Sequence, residues 1–237
     1  MSVGQKQIND LKEQISSGFL VSQYTVSDGM HRFILPALEY DKYEIAVPDG
    51  PAIREFVNSE EFKKAQMKPH KFGVALLDIV GFSKNPDDIQ LKMIVRYQCL
   101  VRGVLKDTPV KRIISIGDGS IFVFAEADIP NMPKYLYSVD HALAGFNLDF
   151  GADNMPKIEW RIGVHVGRAY VFRDINGQTN YIGTAVNLAQ RVSTCVPDSW
   201  NNNMDFRAKS TIYVSEEAYN EFVSNGLNEE FDFLDTG

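Results

Sequence analysis

Residues 71–85 read KFGVALLDIVGFSKN. The apolar run from Phe72 to Leu77, rich in Val and Leu, predicts a buried strand. Asp78 interrupts it, Gly81 marks an immediate turn, and Ser83 with Asn85-Pro86 signals a helix start. A carboxylate at the end of a buried strand is costly unless its charge is compensated. Two readings compensate it. In one, Asp78 caps the next helix. In the other it holds a metal ion, and the peptide N–H groups of Val80, Gly81, Phe82 and Ser83 hold phosphates carried on that metal.

Working outward, Ile89 to Leu105 carries apolar residues at helical spacing, including Met93, Tyr97 and Val101. Arg112 to Ile116 and Ser120 to Ala125 read as two strands joined by Gly117-Asp118-Gly119, a hairpin. Taken alone, Asp118 is an ordinary turn residue. A helix from Tyr135 to Phe150 follows, then a half-buried strand containing IEWRIGVHVG, with His165 as a hydrogen-bonded core histidine. The helix Thr184 to Val196 carries Asn187 and Arg191 on one face and Val186, Ala189 and Val192 toward the core. Thr211–Val214 and Glu216–Val223 read as a late strand and a late helix. The order β-α-β-β-α-β-α-β predicts an α+β class, a ferredoxin-like βαββαβ layout with additions and an antiparallel-rich sheet.

Residues 1–70 differ in character and are expected to form an N-terminal extension ahead of a domain spanning 71–237. Ile8, Leu11 and Ile15 mark one face of a helix, Tyr40 to Val47 reads as a strand, and Ile53, Phe56 and Val57 suggest a second helix. No chemical motif stands out there. A hydrophobic fraction of 44% excludes a disordered chain. A net charge of −7 argues against a nucleic-acid partner but not against one metal-bound nucleotide. Cys99 and Cys195 are expected to be buried, and suggest neither a disulfide nor a thiolate metal site. Nothing resembles a signal peptide or a membrane span, so the expectation is a soluble, cytoplasmic protein with no membrane partner.

Four segments, DIVGFS at Asp78, SIGDG around Asp118, RIGVHVG at Arg161 and GTAVNLAQR ending at Arg191, together resemble the class III nucleotidyl cyclase domain, over roughly Phe72 to Val214. The resemblance implies two divalent metal ions, Mg2+ or Mn2+, on Asp78, Asp118 and the carbonyl of Ile79. It implies that Asn187 positions the ribose of a nucleoside triphosphate and that Arg191 steadies the transition-state phosphate. It implies a homodimer with composite active sites, since one chain carries both sets of residues. Hard oxygen ligands suit these ions.

Two departures from the family pattern bear on the substrate. Ile114 stands where purine cyclases carry a charged base-reading residue, and the partner position falls on Asn180 to Ile182, which holds no acid. Asn180 offers a donor and an acceptor to a base edge, and Tyr181 offers a ring for stacking. The Lys-Gly-Lys segment of many members is not seen, which leaves Lys84, Arg207 and Lys209 as triphosphate contacts. In lacking the purine pair the chain is similar to the bacterial anti-phage cyclases that make cyclic CMP or cyclic UMP. The alternatives are an adenylate cyclase with an altered pocket, a silent nucleotide-binding sensor, and a dimerisation module.

Overall fold

A computed structural model describes residues 3–16, 22–25, 28–34, 44–149, 157–174, 176–195 and 211–227. The chain forms two units, Met1–Pro69 with Tyr170–Ile182, and His70–Ala169 with Gly183–Gly237.

In the first unit, α1 (Val3–Ser16) is followed by β1 (Ser22–Thr25), β2 (Met30–Ile34), β3 (Glu44–Pro48), α2 (Pro51–Asn58) and α3 (Glu60–Ala65). The strands pair antiparallel in the order β1-β2-β3. Ile8 and Leu11 are buried, as their spacing predicts, with Phe33, Val47, Ile53, Phe56 and Phe62. The three phenylalanine rings meet at 5.3–6.4 Å between centroids, at steep angles that suit their quadrupoles. This segment therefore has its own core. The first two strands, four and five residues long, leave no clear alternation in the sequence. The strand expected from Tyr40 is described from Glu44; Tyr40 lies outside the described residues.

The second unit contains β4 (His70–Ile79), α4 (Asp87–Leu105), β5 (Val110–Ser115), β6 (Gly119–Ala125), α5 (Met132–Asp149), β7 (Trp160–Arg173) as far as Ala169, α6 (Thr184–Thr194), β9 (Thr211–Val214) and α7 (Glu216–Ser224), while β8 (Thr179–Ile182) belongs to the first unit. The strand order β5-β6-β4-β7 is that of the ferredoxin-like layout, all antiparallel, with β9 added parallel to β7. The central strand β4 is covered on both faces, so it reads as a continuous apolar run. Ala75, Leu77 and Ile79 pack with α4 and α5 through Met93, Tyr97, Val101, Leu136, Val139 and Leu143.

The expected continuous domain over 71–237 is interrupted. β7 pairs with β4 from Trp160 to Ala169, where β4 runs out at His70. Its last four residues, Tyr170–Arg173, pair instead with β8. This hairpin goes with the first unit. The cysteines also differ from expectation: Cys99 lies on an outward face of α4 and Cys195 just past the end of α6, and both are exposed.

The start of β7 is pinned to α5. The buried Trp160 indole donates to Asp140 Oδ1 at 2.9 Å, and Asn147 of α5 bonds both the N–H and the C=O of Ile158. Burial raises the Asp140 carboxyl pKa, against the lowering effect of the indole bond and of His141. A carboxyl raised on folding stabilises the fold below its unfolded pKa and loses that contribution as pH rises through the folded value. Asp140→Asn keeps an acceptor for the indole without the charge. Its Tm is expected to match or exceed wild type at pH 7.5, with the difference vanishing in acid. Asp140→Ala strands the indole N–H and is expected to lose about 1–3 kcal/mol. Thermal melts of the three proteins across pH check both.

Candidate active site

Strand pairing brings the two predicted acids together. In the β4–β6 ladder Asp78 lies opposite Gly119, and the Ile79 N–H donates to the Asp118 carbonyl at 3.2 Å. The turn Ile116-Gly117-Asp118-Gly119 closes through an Ile116 N–H to Gly119 carbonyl bond of 3.1 Å, with Gly117 at φ 87°. Gly119 has a packing reason: a Cβ there would sit 2.2 Å from the Leu77 carbonyl oxygen. Only glycine lets β6 approach β4 this closely beside both acids.

Asp78 does not cap a helix. α4 starts nine residues later with Pro86 at its N-cap, and the intervening 3-10 turn, Phe82–Lys84, has no side-chain cap. The Asp78 charge is met instead by Arg161. Its Nη2 lies 2.7 Å from Asp78 Oδ2, directly across the β4–β7 ladder. Sequence reading gave Arg161 no role at this site. The signal was present: an arginine opening a buried strand needs a counter-charge as much as an aspartate ending one. Behind Asp78, the buried Tyr97 hydroxyl has no partner in good geometry among the described residues, although Ser120 is beside it. Burial raises its pKa, Ser120 opposes that and the Asp78 charge adds to it.

The donor set suits a hard divalent cation. The Asp78 and Asp118 carboxylates and the Ile79 carbonyl are all oxygens, and Arg161 already marks the place as one that takes positive charge. Among the described residues no third Asp, Glu, His or Cys joins them. Water and phosphate oxygens would complete the coordination. Of the turn amides, Val80 is spent on the Glu159 carbonyl at 2.8 Å. Gly81, in a left-handed conformation at φ 69°, opens the 3-10 turn that carries Phe82 and Ser83. Lys84 is exposed; Arg207 and Lys209 lie outside the described residues.

Asn187 and Arg191 stand on α6, both exposed. The helix seats through a stripe of small residues, Ala185, Ala189 and Ser193; Val186 and Val192 are only half-buried, contrary to expectation. The reason is the closeness of its backbone to β7. A Cβ on Gly163 would lie 2.2 Å from the Ser193 nitrogen and 2.3 Å from the Ala189 oxygen. No hydrogen bond or ion pair runs from the Asn187 or Arg191 side chain to another described residue.

No protein-family model and no curated protein matches the sequence. In three dimensions the chain is similar to the guanylyl cyclase Cya2, with a TM-score of 0.54 and 18% identity over 66% of this chain and 80% of that one. It is equally similar to the adenylyl cyclase CyaB from P. aeruginosa, with a TM-score of 0.53 and 17% identity over 67% and 83%. The catalytic core of a rhodopsin-guanylyl cyclase with converted specificity, in complex with ATPαS, gives a TM-score of 0.53 and 17% identity over 69% and 84%. The fold is that of class III nucleotidyl cyclase catalytic domains.

Within this fold the positions expected to read the base have different surroundings. Ile114 is half-buried on the edge strand β5, opposite Ile121. Asn180 and Tyr181 lie on β8, in the other unit. Tyr181 is only 5% exposed, so its ring has no open face for a base. The Asn180 Oδ1 accepts from the Tyr181 N–H at 2.8 Å.

The two glycine environments give a direct test of how α6 is held. Gly163→Ala must push the helix off β7 and is expected to cost about 1–3 kcal/mol. Hydrogen exchange should show residues 184–194 losing protection before the β4–β6 ladder does. Gly145→Ala, in the interior of α5 with nothing within 4 Å of the added Cβ, is expected to gain about 0.5–1 kcal/mol.

Proposed function

We propose that the chain is a nucleotidyl cyclase, converting a nucleoside triphosphate to its 3′,5′-cyclic nucleotide and pyrophosphate. The observation that carries this reading is the meeting of Asp78 and Asp118 at adjacent ends of β4 and β6, within this fold. The 3′ oxygen attacks the α-phosphorus, the bond to the β-phosphate oxygen breaks, and pyrophosphate leaves. Two Mg2+ or Mn2+ ions, held by Asp78, Asp118 and the Ile79 carbonyl, would acidify the attacking hydroxyl and neutralise the phosphates. Asn187 orients the ribose. Arg191 balances the charge that builds at phosphorus, a role typically worth roughly 10³–10⁵ in rate. The amides of Gly81, Phe82 and Ser83 contact the phosphates. No side-chain nucleophile is needed.

The site is shared between two copies of the chain. Supporting this, Asn187 and Arg191 are exposed and bonded to nothing among the described residues, as expected of side chains whose ligand lies across an interface. The base is a pyrimidine, with ATP as the second reading. This rests on Ile114, an aliphatic residue that packs on a base without reading its edge. A defence-signalling role follows only from the similarity to pyrimidine cyclases.

Incubation with ATP, GTP, CTP and UTP plus Mn2+, read by mass spectrometry, is expected to yield one dominant cyclic product. No product from any of them refutes the enzyme. Asp78→Ala and Asp118→Ala, shown to be folded by circular dichroism, are expected to be inactive. Mixing Asp78→Ala with Arg191→Ala is expected to restore activity. Random exchange makes half the dimers mixed, each with one intact site, so about a quarter of wild-type sites return. No recovery despite demonstrated exchange would mean that each chain works alone.

For the base, kcat/KM is expected to rank CTP or UTP first in wild type, and Ile114→Lys to shift the ranking toward ATP by roughly tenfold to hundredfold. ATP leading in wild type by that margin would establish the adenylate reading instead.

A further inference from the structure

Asp78 and Asp118 are adjacent but not equivalent. Asp78 is held by Arg161 at 2.7 Å. The Asp118 side chain makes no ion pair with a described residue. The Arg161 pair is also incomplete. Arginine can offer a carboxylate two parallel N–H bonds, yet only Nη2 engages Asp78, and the buried Nε has no hydrogen-bond partner among the described residues. The fork is therefore only partly used among the described residues. Both side chains remain about a quarter exposed, 28% for Arg161 and 25% for Asp78, so another cation can reach the carboxylate.

We infer that Arg161 is a built-in competitor for the metal: its guanidinium bonds Oδ2 of Asp78, and its charge opposes the entry of a divalent cation at the same carboxylate. The inference rests on the proposed metal role of Asp78 and goes beyond it, by assigning Arg161 the setting of metal affinity. The cross-strand register keeps the two charges side by side. Asp78 and Arg161 are directly opposed on neighbouring strands, so neither backbone can move away without breaking the ladder. Only the side chains can adjust. Arg161 is thus a positioning residue, which holds Asp78 in a defined rotamer and sets its charge against an incoming cation.

The test is Mn2+ binding to the nucleotide-free protein, read by electron paramagnetic resonance, with the Mn2+-induced rise in Tm as a second measurement. Arg161→Gln removes the competing charge and is expected to bind Mn2+ roughly threefold to tenfold more tightly, with a larger rise in Tm. Arg161→Lys keeps a cation at the position and is expected to stay near wild type, which separates charge competition from a packing effect. Equal or weaker binding by Arg161→Gln, in a folded protein whose Asp78→Asn counterpart has lost Mn2+ binding, overturns the inference and leaves the metal site intact. Equal binding by wild type and Asp78→Asn, or no binding by any variant at millimolar Mn2+, overturns the metal site and the inference with it.

Discussion

The register of β4 between its two neighbours is the constraint on which the site depends. Asp78 lies opposite Gly119 on one side and Arg161 on the other. A slip of one residue on either side would turn Asp78 toward the α4–α5 core and bring an apolar side chain to the site face. The register is held by the unbroken burial of Phe72 to Leu77, and by Gly119, whose missing side chain admits the Leu77 carbonyl. Hydrophobic burial along β4 thus fixes where a carboxylate stands. The second acid needs only the tight turn between β5 and β6 to stand beside it.

The charge at the end of β4 shows how the fold tolerates a functional group. Taking an isolated carboxylate fully out of water costs several kcal/mol even after relaxation. Asp78 stays a quarter exposed and shares a cross-strand bond with Arg161, so neither charge is isolated. His165, deeper in β7, is handled differently. Burial lowers its pKa more than the nearby Glu217 raises it, and Ser215 bonds its Nδ1 at 2.9 Å. A side chain that can go neutral is buried, and charges that must persist stay at strand ends.

Much of this was legible in the sequence because the decisive elements are long and strongly patterned. The run before Asp78, the stripe Met93-Tyr97-Val101 and the Gly-Asp-Gly turn each report their structure directly. Other features depend on distances that a linear pattern does not encode. Nothing local to Arg161 says that it faces Asp78, 83 residues earlier. The face on which α6 seats was misread because hydrophobicity favours Val186 and Val192, whereas the glycines of β7 admit only the alanines and Ser193. Tyr181 looked available as an aromatic beside a loop, and its burial follows from tertiary packing alone.

One strand carries both halves of the arrangement. Arg161 and Gly163 are two residues apart on β7 and point to the same face. The first meets Asp78 and the second seats the backbone of α6, from which Asn187 and Arg191 project. The backbone contacts at Gly163 leave no slack, so α6 cannot slide along β7 without steric overlap. Within a chain, then, the acids and the Asn/Arg pair keep a fixed spacing set by the sheet. In a site shared between two copies, the acids of one chain and the Asn/Arg pair of the other have no such common strand. Their approach would be set by the interface alone, and small changes in how the copies pack would act directly on the distance between the acids and the Asn/Arg pair.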